Sequence, residues 1–424
     1  AQRASCPRTS NDSFISRPAF FSLVNHAQNL TLSSGGQTGT SGTNWSTSGT
    51  NPVTISVTGT ANVNTSVIEG YLNAGTSVIV TNSSVGTTIN SNISKSGGGN
   101  ASLTIKDIGN IKIATNITIS SSSNALDLIL WADSDNSQGG TVDDFMYINA
   151  GVTISTNGGK IIMAGGPDNG SNGGTSVDGI PDGFAWNGSN SISYGANDVG
   201  GLTLGQRGGT GTVVTLLSNG GDMILRGATS NNNSYPGITS QSNLKIVSGT
   251  GKITMYGKSS SGHGVELTYG TAPSIAISSA STSSPALDLK GTTTASGYAG
   301  FWLSNNANGS ILFESTAASG GGMTIEGVSS NSSGLWFGVS NTNIITQLLS
   351  QSGTITLKGD GGTNASLYLY GDLYIGNRKD ATAIQGVTPS VTASTANILI
   401  QADDQYNFGN TGASTGAGTV DLGF

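Results

Sequence analysis

Charged residues are scarce in this chain: Lys, Arg, Asp and Glu make up 9% of its 424 residues, against about 25% in average proteins. The formal net charge is −7 and no Lys/Arg cluster occurs, so nucleic acid and anionic membranes are poor partners. The single cysteine, Cys6, cannot form an internal disulfide. No segment approaches the roughly 18 consecutive apolar residues of a membrane-spanning helix, so we expect no membrane span.

Glycine is abundant instead, with 65 residues, and Ser, Thr and Asn fill much of the remainder. This composition fits either low-complexity disorder or a repetitive β architecture with Gly- and Asn-rich turns. The apolar residues decide between the two, because they recur as short alternating β-branched runs such as Ile111-Lys112-Ile113 and Ile355-Thr356-Leu357. Disordered chains lack this patterning, so the sequence predicts a folded protein.

One strand pattern occurs four times: two small residues, then alternating apolar residues, then a closing glycine. The copies occupy residues 158–165, 220–227, 249–257 and 352–359. Alternate residues of a strand face opposite sides, so Ile161 and Met163 are predicted to point inward together. The flanking glycines allow the positive φ of a tight corner.

The order of the strands favours an all-β, parallel β-helix over a sandwich or an antiparallel array. No window shows a capped apolar stripe of helical period, so we expect very little helix. Asn-Gly pairs rarely separate two strands of equal length, as hairpins would require. Candidate coils recur at roughly 20 to 25 residues. About 19 coils at a strand spacing of about 4.8 Å would give a rod roughly 90 Å long.

The two ends of the chain differ from its middle. Residues 1–28 hold prolines, arginines and the aromatics Phe14, Phe20 and Phe21, and we interpret them as a cap or a donated segment ahead of a solenoid over residues 29–424. The last residues, with Val420, Leu422 and Phe424, resemble a strand without a visible cap. We therefore expect the chain either to continue or to stack end to end on a neighbour by β-augmentation, through these six residues.

Two candidate sites stand out. Asp133, Asp135, Asp143 and Asp144 offer oxygen ligands at a spacing that suits Ca²⁺, although the full calcium loop is absent; acidic turn residues are the alternative interpretation. Tyr368, Tyr370 and Tyr374 alternate with leucines. If the leucines face inward, these tyrosines form one exposed aromatic stripe that could bind glycan or protein.

Sequence signals of catalysis are weak. The two histidines are His26 and His263, and the Gly-rich surroundings of His263 predict a solvated loop. No Gly-x-Ser-x-Gly elbow accompanies them. Asp143 and Asp144 are adjacent, so in a strand they would face opposite ways and could not act as a glycosidase pair. Trp302 and Trp336 lie in strand-like segments, where core packing is favoured over sugar stacking. We predict no catalytic residues and no organic cofactor.

Several segments resemble the shaft repeats of filamentous-haemagglutinin-like exoproteins, which are large exported adhesins. The resembling segments are residues 72–78, 93–105, 126–135 and 154–161. The resemblance implies that the β-helix is right-handed, that the protein is secreted to the cell surface, and that it acts in adhesion or surface assembly. The sequence departs from the family in lacking an Asn-Pro-rich amino-terminal signature.

Three functions follow for testing. The leading one is a non-enzymatic extracellular shaft or surface filament subunit, whose partners are further copies of itself or host glycans and proteins. The alternative is a β-helical carbohydrate-active enzyme, which requires the scattered aspartates to converge in one groove. The third is an ice-binding solenoid, which requires a flat ladder of Thr-x-Thr pairs such as the one at Thr354.

Overall fold

The protein is described from a computed structural model. The structure describes residues 30–38, 44–83, 86–137, 144–188, 193–194, 197–206, 212–230, 234–267, 274–303, 309–337, 345–362, 366–369, 372–392, 395–403, 406–408 and 420–422. Every structural statement below concerns these residues. The predicted cap, residues 1–28, lies outside them.

The described residues form 37 strands, one α-helix and one 3-10 turn. In the first half they are Leu30–Ser33 (β1), Trp45–Ser48 (β2), Val53–Val57 (β3), Ala61–Asn64 (β4), Thr65–Asn73 (α1), Val78–Asn82 (β5), Thr87–Ile89 (β6), Ile93–Lys95 (β7), Ala101–Asp107 (β8), Ile111–Ile113 (β9), Thr118–Ser121 (β10), Leu126–Ala132 (β11), Met146–Ile148 (β12), Thr153–Ser155 (β13), Ile161–Gly165 (β14), the 3-10 turn Ser171–Gly173, Ala185–Asn187 (β15), Ser193–Tyr194 (β16), Asn197–Asp198 (β17) and Leu202–Leu204 (β18).

The second half continues the series without a further helix in its described part. Its strands are Val213–Leu217 (β19), Met223–Thr229 (β20), Ile238–Ser240 (β21), Asn243–Val247 (β22), Ile253–Ser259 (β23), Val265–Leu267 (β24), Ile275–Ser279 (β25), Leu287–Thr293 (β26), Phe301–Leu303 (β27), Ile311–Ser315 (β28), Met323–Ser329 (β29), Leu335–Phe337 (β30), Ile345–Ser350 (β31), Thr354–Asp360 (β32), Leu367–Leu369 (β33), Asp372–Ile375 (β34), Asn397–Ala402 (β35), Tyr406–Phe408 (β36) and Val420–Leu422 (β37).

The strands build three long sheets, which confirms the predicted parallel β-helix. Sheet 1 has 12 strands from β4 to β36, sheet 2 has 10 strands from β7 to β37, and sheet 3 has 13 strands from β2 to β35, counting β15. Each turn of the chain passes through sheet 1, then sheet 2, then sheet 3, as β24, β25 and β26 do. From β6 onward, apart from β15, β16 and β17, each strand pairs in parallel with its equivalents in the neighbouring coils, so the sheets run along the solenoid.

The coils are longer and fewer than the sequence suggested. Thr87 pairs with Ile111, 24 residues later, but Val265 pairs with Phe301, 36 residues later. The expected repeat of 20 to 25 residues is therefore wrong for most of the chain, because loops of variable length separate the short strands. Twelve strands in sheet 1 give a body about 50 Å long at a strand spacing of about 4.8 Å, not the 90 Å expected.

The interior is one continuous apolar core. The four repeated segments fall in register on sheet 3, where Ile161 pairs with Met223 and Met223 with Ile253. Ile161 and Met163 are both fully buried, as their alternation predicted. Each buried apolar side chain contributes about 1.5–3 kcal/mol of hydrophobic stabilisation, and the ladder of identical strand spacings lets these side chains stack from coil to coil.

Glycine pairs close the corner between sheet 3 and sheet 1. A Cβ on Gly291, near the end of β26, would lie 2.0 Å from the carbonyl oxygen of Gly300, just before β27. Gly257 with Gly264 and Gly327 with Gly334 repeat the arrangement in the neighbouring coils. Backbone therefore meets backbone at this corner, which explains the closing glycine of the repeated pattern.

Helix α1, which the sequence pattern did not predict, closes the amino-terminal end of the described solenoid. Asn64 caps it by accepting a hydrogen bond from Ser66 N at 2.9 Å, and Ile68 and Leu72 are buried one turn apart. α1 takes the place of a sheet 2 strand between β4 and β5 and packs beside β7. Strand β2 covers the edge of sheet 3 by pairing antiparallel to β3. No helix in the described ranges is long and apolar enough to cross a membrane.

Two long loops fold back onto the outer faces of the sheets. Residues 166–184, which we call the flap, cover Ile129, Trp131 and Ile162 on sheet 3. Residues 376–392, the brace, cover Ala276, Leu312 and Leu349 on sheet 2 with their own Ile384 and Val391. Both loops bury apolar side chains that would otherwise face solvent.

Buried polar contacts hold the brace. Glu314, 1% exposed, uses Oε1 to accept hydrogen bonds from Ser390 N at 2.7 Å, Ser390 Oγ at 3.1 Å and Val391 N at 2.8 Å. Gln347 accepts from Lys379 N at 2.8 Å. The brace is therefore hydrogen-bonded to two earlier coils, those of β28 and β31.

Candidate functional site: a lateral groove on sheet 3

A groove of about 410 Å³ runs along the outer edge of sheet 3, where β20, β23, β26, β29 and β32 end. It is elongated because equivalent residues of successive coils line it. Trp186 stands at the end nearest the flap and Asp360 at the other end. The register of the strands spaces these contributions at about 4.8 Å.

Two rows of side chains line the groove. The first row consists of hydroxyl residues that follow the strand ends and are all exposed: Ser230, Ser260, Thr294 and Ser330. The second row holds Lys258, Thr292, Val328 and Asp360, which are register equivalents in four successive strands. Lys258 and Asp360, three strand spacings apart, are separated by about 14 Å.

The backbone of the groove is already occupied by hydrogen bonds between coils. Ser260 N donates to Thr229 O at 3.0 Å, Thr294 N to Ser259 O at 3.1 Å and Ser330 N to Thr293 O at 3.2 Å. The buried hydroxyls below these residues are also paired, as in the 2.7 Å contact from Thr229 Oγ1 to Ser259 Oγ. A ligand in the groove therefore meets side-chain hydroxyls and methyl groups rather than a free strand edge.

A carboxyl pair lies at the far end of the groove. Asp360 and Asp403 influence each other's ionisation. Burial and the neighbouring Asp403 raise the pKa of Asp360. Burial opposes ionisation of Asp403, but hydrogen bonds from Ser366 and Gly361 outweigh it and lower the pKa of Asp403.

Ion pairs between coils flank the groove on the face of sheet 3. Glu326 lies between Lys290, at 3.2 Å, and Lys358, at 2.8 Å. Burial raises the pKa of Glu326, but the two lysines more than offset this effect, so its pKa is lowered. Both lysines of this trio are paired with the one carboxylate, whereas Lys258 has no ion-pair partner among the described side chains.

A second hollow, of about 590 Å³, lies beside α1 and is more open. Short polar side chains line it, including Ser34 and Ser91. Glu69 faces it, and its Oε1 already accepts a hydrogen bond from Ser94 N at 2.8 Å. The hollow lacks the repeated lining that distinguishes the groove.

The aspartates expected to bind calcium differ in burial, although Ser137 donates hydrogen bonds to both Asp135 and Asp144. Asp133 and Asp144 are buried, with exposures of 1% and 0%, whereas Asp135 is exposed and accepts from Ser137 N at 3.2 Å. No three acidic, His or Cys side chains among the described residues form a group that could hold a metal. Asp143 lies outside those residues, so a calcium site that includes it stays a prediction.

Three aspartates of the flap, which are also close in sequence, organise that loop. Asp182 is 1% exposed, accepts hydrogen bonds from Asn169 N and Gly170 N at 2.9 and 2.6 Å, and lies 3.8 Å from Arg226. Asp168 accepts from Gly179 N at 2.9 Å. Asp178 accepts from Ile180 N at 2.9 Å. They fix the fold of the flap, and none of them lines the groove.

The expected single stripe of tyrosines is wrong. Tyr368 lies on sheet 1 and stacks on Trp336 with ring centroids 5.1 Å apart. Tyr374 lies on sheet 2 and is 8% exposed. The two face different directions because the chain turns a corner between β33 and β34. Leu367, Leu369 and Leu373 do face inward, and Tyr370 lies outside the described residues.

Trp302, Trp336 and His263 also differ from expectation. Trp302 and Trp336 point outward from sheet 1, half-buried, between inward-facing neighbours. His263 is not solvated: it is 8% exposed, stacks on Trp302 at 4.2 Å, and accepts a hydrogen bond from Ala299 N on Nδ1 at 3.0 Å. Burial lowers the pKa of His263 to about 3. These aromatic rings stack on one another across neighbouring coils, so they stabilise the stacking of the coils.

The residues expected to mediate assembly are only partly described. Val420 and Leu422 lie in β37, which pairs with β34 at the end of sheet 2. Phe14, Phe20, Phe21 and Phe424 lie outside the described residues. Their role in assembly stays a prediction.

Family models, curated proteins and solved structures were compared with the chain, and none of them matches it. The resemblance to haemagglutinin-like shafts therefore stays a prediction from the sequence. The groove itself had one signal in the sequence, which is the recurrence of Ser or Thr two and three residues after the glycines Gly227, Gly257, Gly291 and Gly327. That signal can be recognised only when the register of the strands in sheet 3 is known.

Proposed function

We propose that this chain is a rigid, non-enzymatic shaft of an extracellular adhesive protein. The carrying observation is the single unbroken core shared by three sheets over about twelve coils. Each coil is hydrogen-bonded to the next along all three sheets, so bending would break many backbone hydrogen bonds at once. Such a body suits holding a binding surface away from a cell.

The outer faces of the solenoid support the same proposal. The flap and the brace cover apolar strips on sheets 2 and 3, and pairs such as Lys252 with Asp288, at 2.9 Å, cross between coils. These features stabilise a long exposed body. The extracellular address and the adhesive role rest on the resemblance of the repeats.

The exposure of the last coil supports addition of another coil there. The inward-facing Ile398 and Ile400 of β35 are only half-buried, whereas their register partners Ile355 and Leu357 are fully buried. The opposite end of the described body is closed by α1 and β2. An exposed last coil of this kind allows a second copy to pair through it.

Immunogold microscopy of intact source cells tests the proposal directly. Antibody raised against the folded chain should label the outside of unpermeabilised cells, on material that projects from the surface. Labelling that appears only after permeabilisation would overturn it. In solution, Ile400→Lys should abolish any end-to-end pairing seen by sedimentation, while Leu399→Lys, on the outward side of the same strand, should leave it intact.

A carbohydrate-cleaving enzyme is the second candidate, and the Asp360–Asp403 pair at the end of the groove is the observation that favours it. Glycosidases act through two carboxyl groups whose pKa values differ, and the pKa of Asp360 is raised whereas that of Asp403 is lowered. Of the two, Asp360 lines the groove and Asp403 does not, which favours binding over cleavage. Release of reducing ends from a polysaccharide, lost in Asp360→Asn, would establish the enzyme instead.

The third function, ice binding, meets a specific obstacle on β32. Thr354 and Thr356 do share one outward face, but their register partners in the next coil are Asn397 and Leu399. The ladder of threonine pairs is broken there. Thermal hysteresis of the purified chain would reinstate this candidate.

A further inference from the structure

We propose that the lateral groove of sheet 3 binds an extended, neutral, β-1,4-linked polysaccharide, with successive sugar rings matched to successive coils. The groove is the ligand site, and its lining selects the class of ligand. This inference does not depend on the adhesive role, because a shaft or an enzyme could equally carry the groove.

The shape of the groove selects a linear polymer. It crosses five strands, from β20 to β32, and it is open along its length rather than enclosed. Its chemical groups repeat at about 4.8 Å. An extended β-1,4-linked chain advances by nearly the same distance with each sugar ring, so each ring can repeat the contacts of the previous one.

The lining selects sugar over other polymers. Sugars present hydroxyl groups at the ring edge and C–H groups on the ring face, and the groove is lined by the hydroxyl groups of Ser260 and Thr294 and by the methyl groups of Thr292 and Val328. A peptide strand would need unpaired backbone groups, but those of Ser260, Thr294 and Ser330 are already bonded to the preceding coil. A peptide therefore cannot bind at this site by adding a strand to the sheet.

The charges select a neutral chain. Lys258 lies near one end and Asp360 at the other, about 14 Å apart by strand spacing, and among the described residues that line the groove no other side chain is charged. Nucleic acid would need several cations along its backbone. A uniformly acidic polysaccharide would meet the carboxyl pair Asp360–Asp403, and a uniformly basic one would meet Lys258.

Calorimetric titration with cello-oligosaccharides of two to six units tests the proposal. Affinity should rise with each unit up to about four, the number of coils between Lys258 and Asp360, and then level off. Thr292→Phe, which fills the groove, should weaken cellohexaose binding by about tenfold or more. Thr324→Phe is the matched control, because Thr324 is a half-buried, outward threonine on the adjacent strand β29 that does not line the groove.

Val328→Thr gives a second, milder test, since it keeps the shape and removes apolar contact from the wall. It should weaken cellohexaose binding by about two- to fivefold and leave the thermal unfolding midpoint nearly unchanged. Three results would overturn the proposal: no binding of any cello-oligosaccharide, affinity that does not depend on length, or equal losses in Thr292→Phe and Thr324→Phe. Preferential binding of an acidic oligomer such as polygalacturonate would also overturn it.

Discussion

Acid should destabilise this solenoid through one buried histidine. His263 is 8% exposed and stacks on Trp302, and the hydrogen bond from Ala299 N uses the lone pair on Nδ1 that a proton would need. Burial lowers its pKa from 6.5 to about 3. Between these values the unfolded chain binds a proton that the folded chain does not, so stability is present above pH 6.5 and is lost as the pH falls.

The size of the effect follows from the two pKa values. From pH 7.5 to pH 5, His263 alone should reduce the free energy of unfolding by about 2 kcal/mol. Asp107 works in the opposite direction over the same range. It is fully buried, and burial raises its pKa to about 6 even though Asn82 and Gly109 donate hydrogen bonds to it. Its contribution, about 1 kcal/mol, partly cancels that of His263.

The assay therefore compares two proteins rather than two pH values. His263→Asn keeps an acceptor oxygen near the position of Nδ1 and cannot titrate. It should be less stable than the native chain at pH 7.5 because the ring stack is lost, and the difference should shrink by about 2 kcal/mol at pH 5. Urea unfolding followed by circular dichroism measures both. Equal losses in the two proteins between pH 7.5 and pH 5 would refute the buried, neutral histidine.

A direct titration completes this test. Histidine labelled with ¹³C at Cε1 gives two signals in the native chain, and His26→Gln removes one of them. The remaining His263 signal should stay at its neutral position down to about pH 4. A midpoint near 6.5 would show that the ring is solvated.

Two further predictions concern packing and a third concerns a buried carboxyl group. Gly291→Ala should lower the free energy of unfolding by about 3 kcal/mol or prevent folding, because its Cβ would lie 2.0 Å from Gly300 O. The control is Gly70→Ala, which is exposed in α1 with nothing near its Cβ and should stabilise the protein by about 0.5–1 kcal/mol. Equal shifts of the thermal unfolding midpoint in the two variants would contradict this account of the corner. Glu314→Ala should cost about 2–4 kcal/mol and speed trypsin cleavage in the brace, while unchanged cleavage would mean that the carboxylate does not hold it. Asp107 stabilises the folded chain below the pKa of its unfolded state, and this contribution is lost as the pH rises through about 6. Asp107→Asn should therefore remove about 2 kcal/mol of the change in unfolding free energy between pH 4 and pH 7.5. An unchanged pH dependence of that free energy would refute the raised pKa.

Local sequence determined much of the architecture. The alternation of Ile161 with Met163, and of Ile355 with Leu357, sets the inward face of each strand because side chains of a strand alternate in direction. The closing glycines mark corners where a Cβ would collide with backbone. These effects act within a few residues, so the parallel β-helix was predictable from the pattern. Helix α1 also has local signals in the sequence, including its N-cap residue Asn64, but it lacks a long apolar stripe.

The tertiary structure decided what the neighbours of each strand are. Loops of unequal length set the coil repeat, so the number of coils and the register could not be read from spacing. Register places Lys258, Thr292, Val328 and Asp360 in one row, and no local pattern links residues more than 30 positions apart. The corner after β33 separates Tyr368 from Tyr374, and packing against Trp302 buries His263. Alternation fixes which side of a strand a residue faces, whereas a site depends on which coils stack beside it.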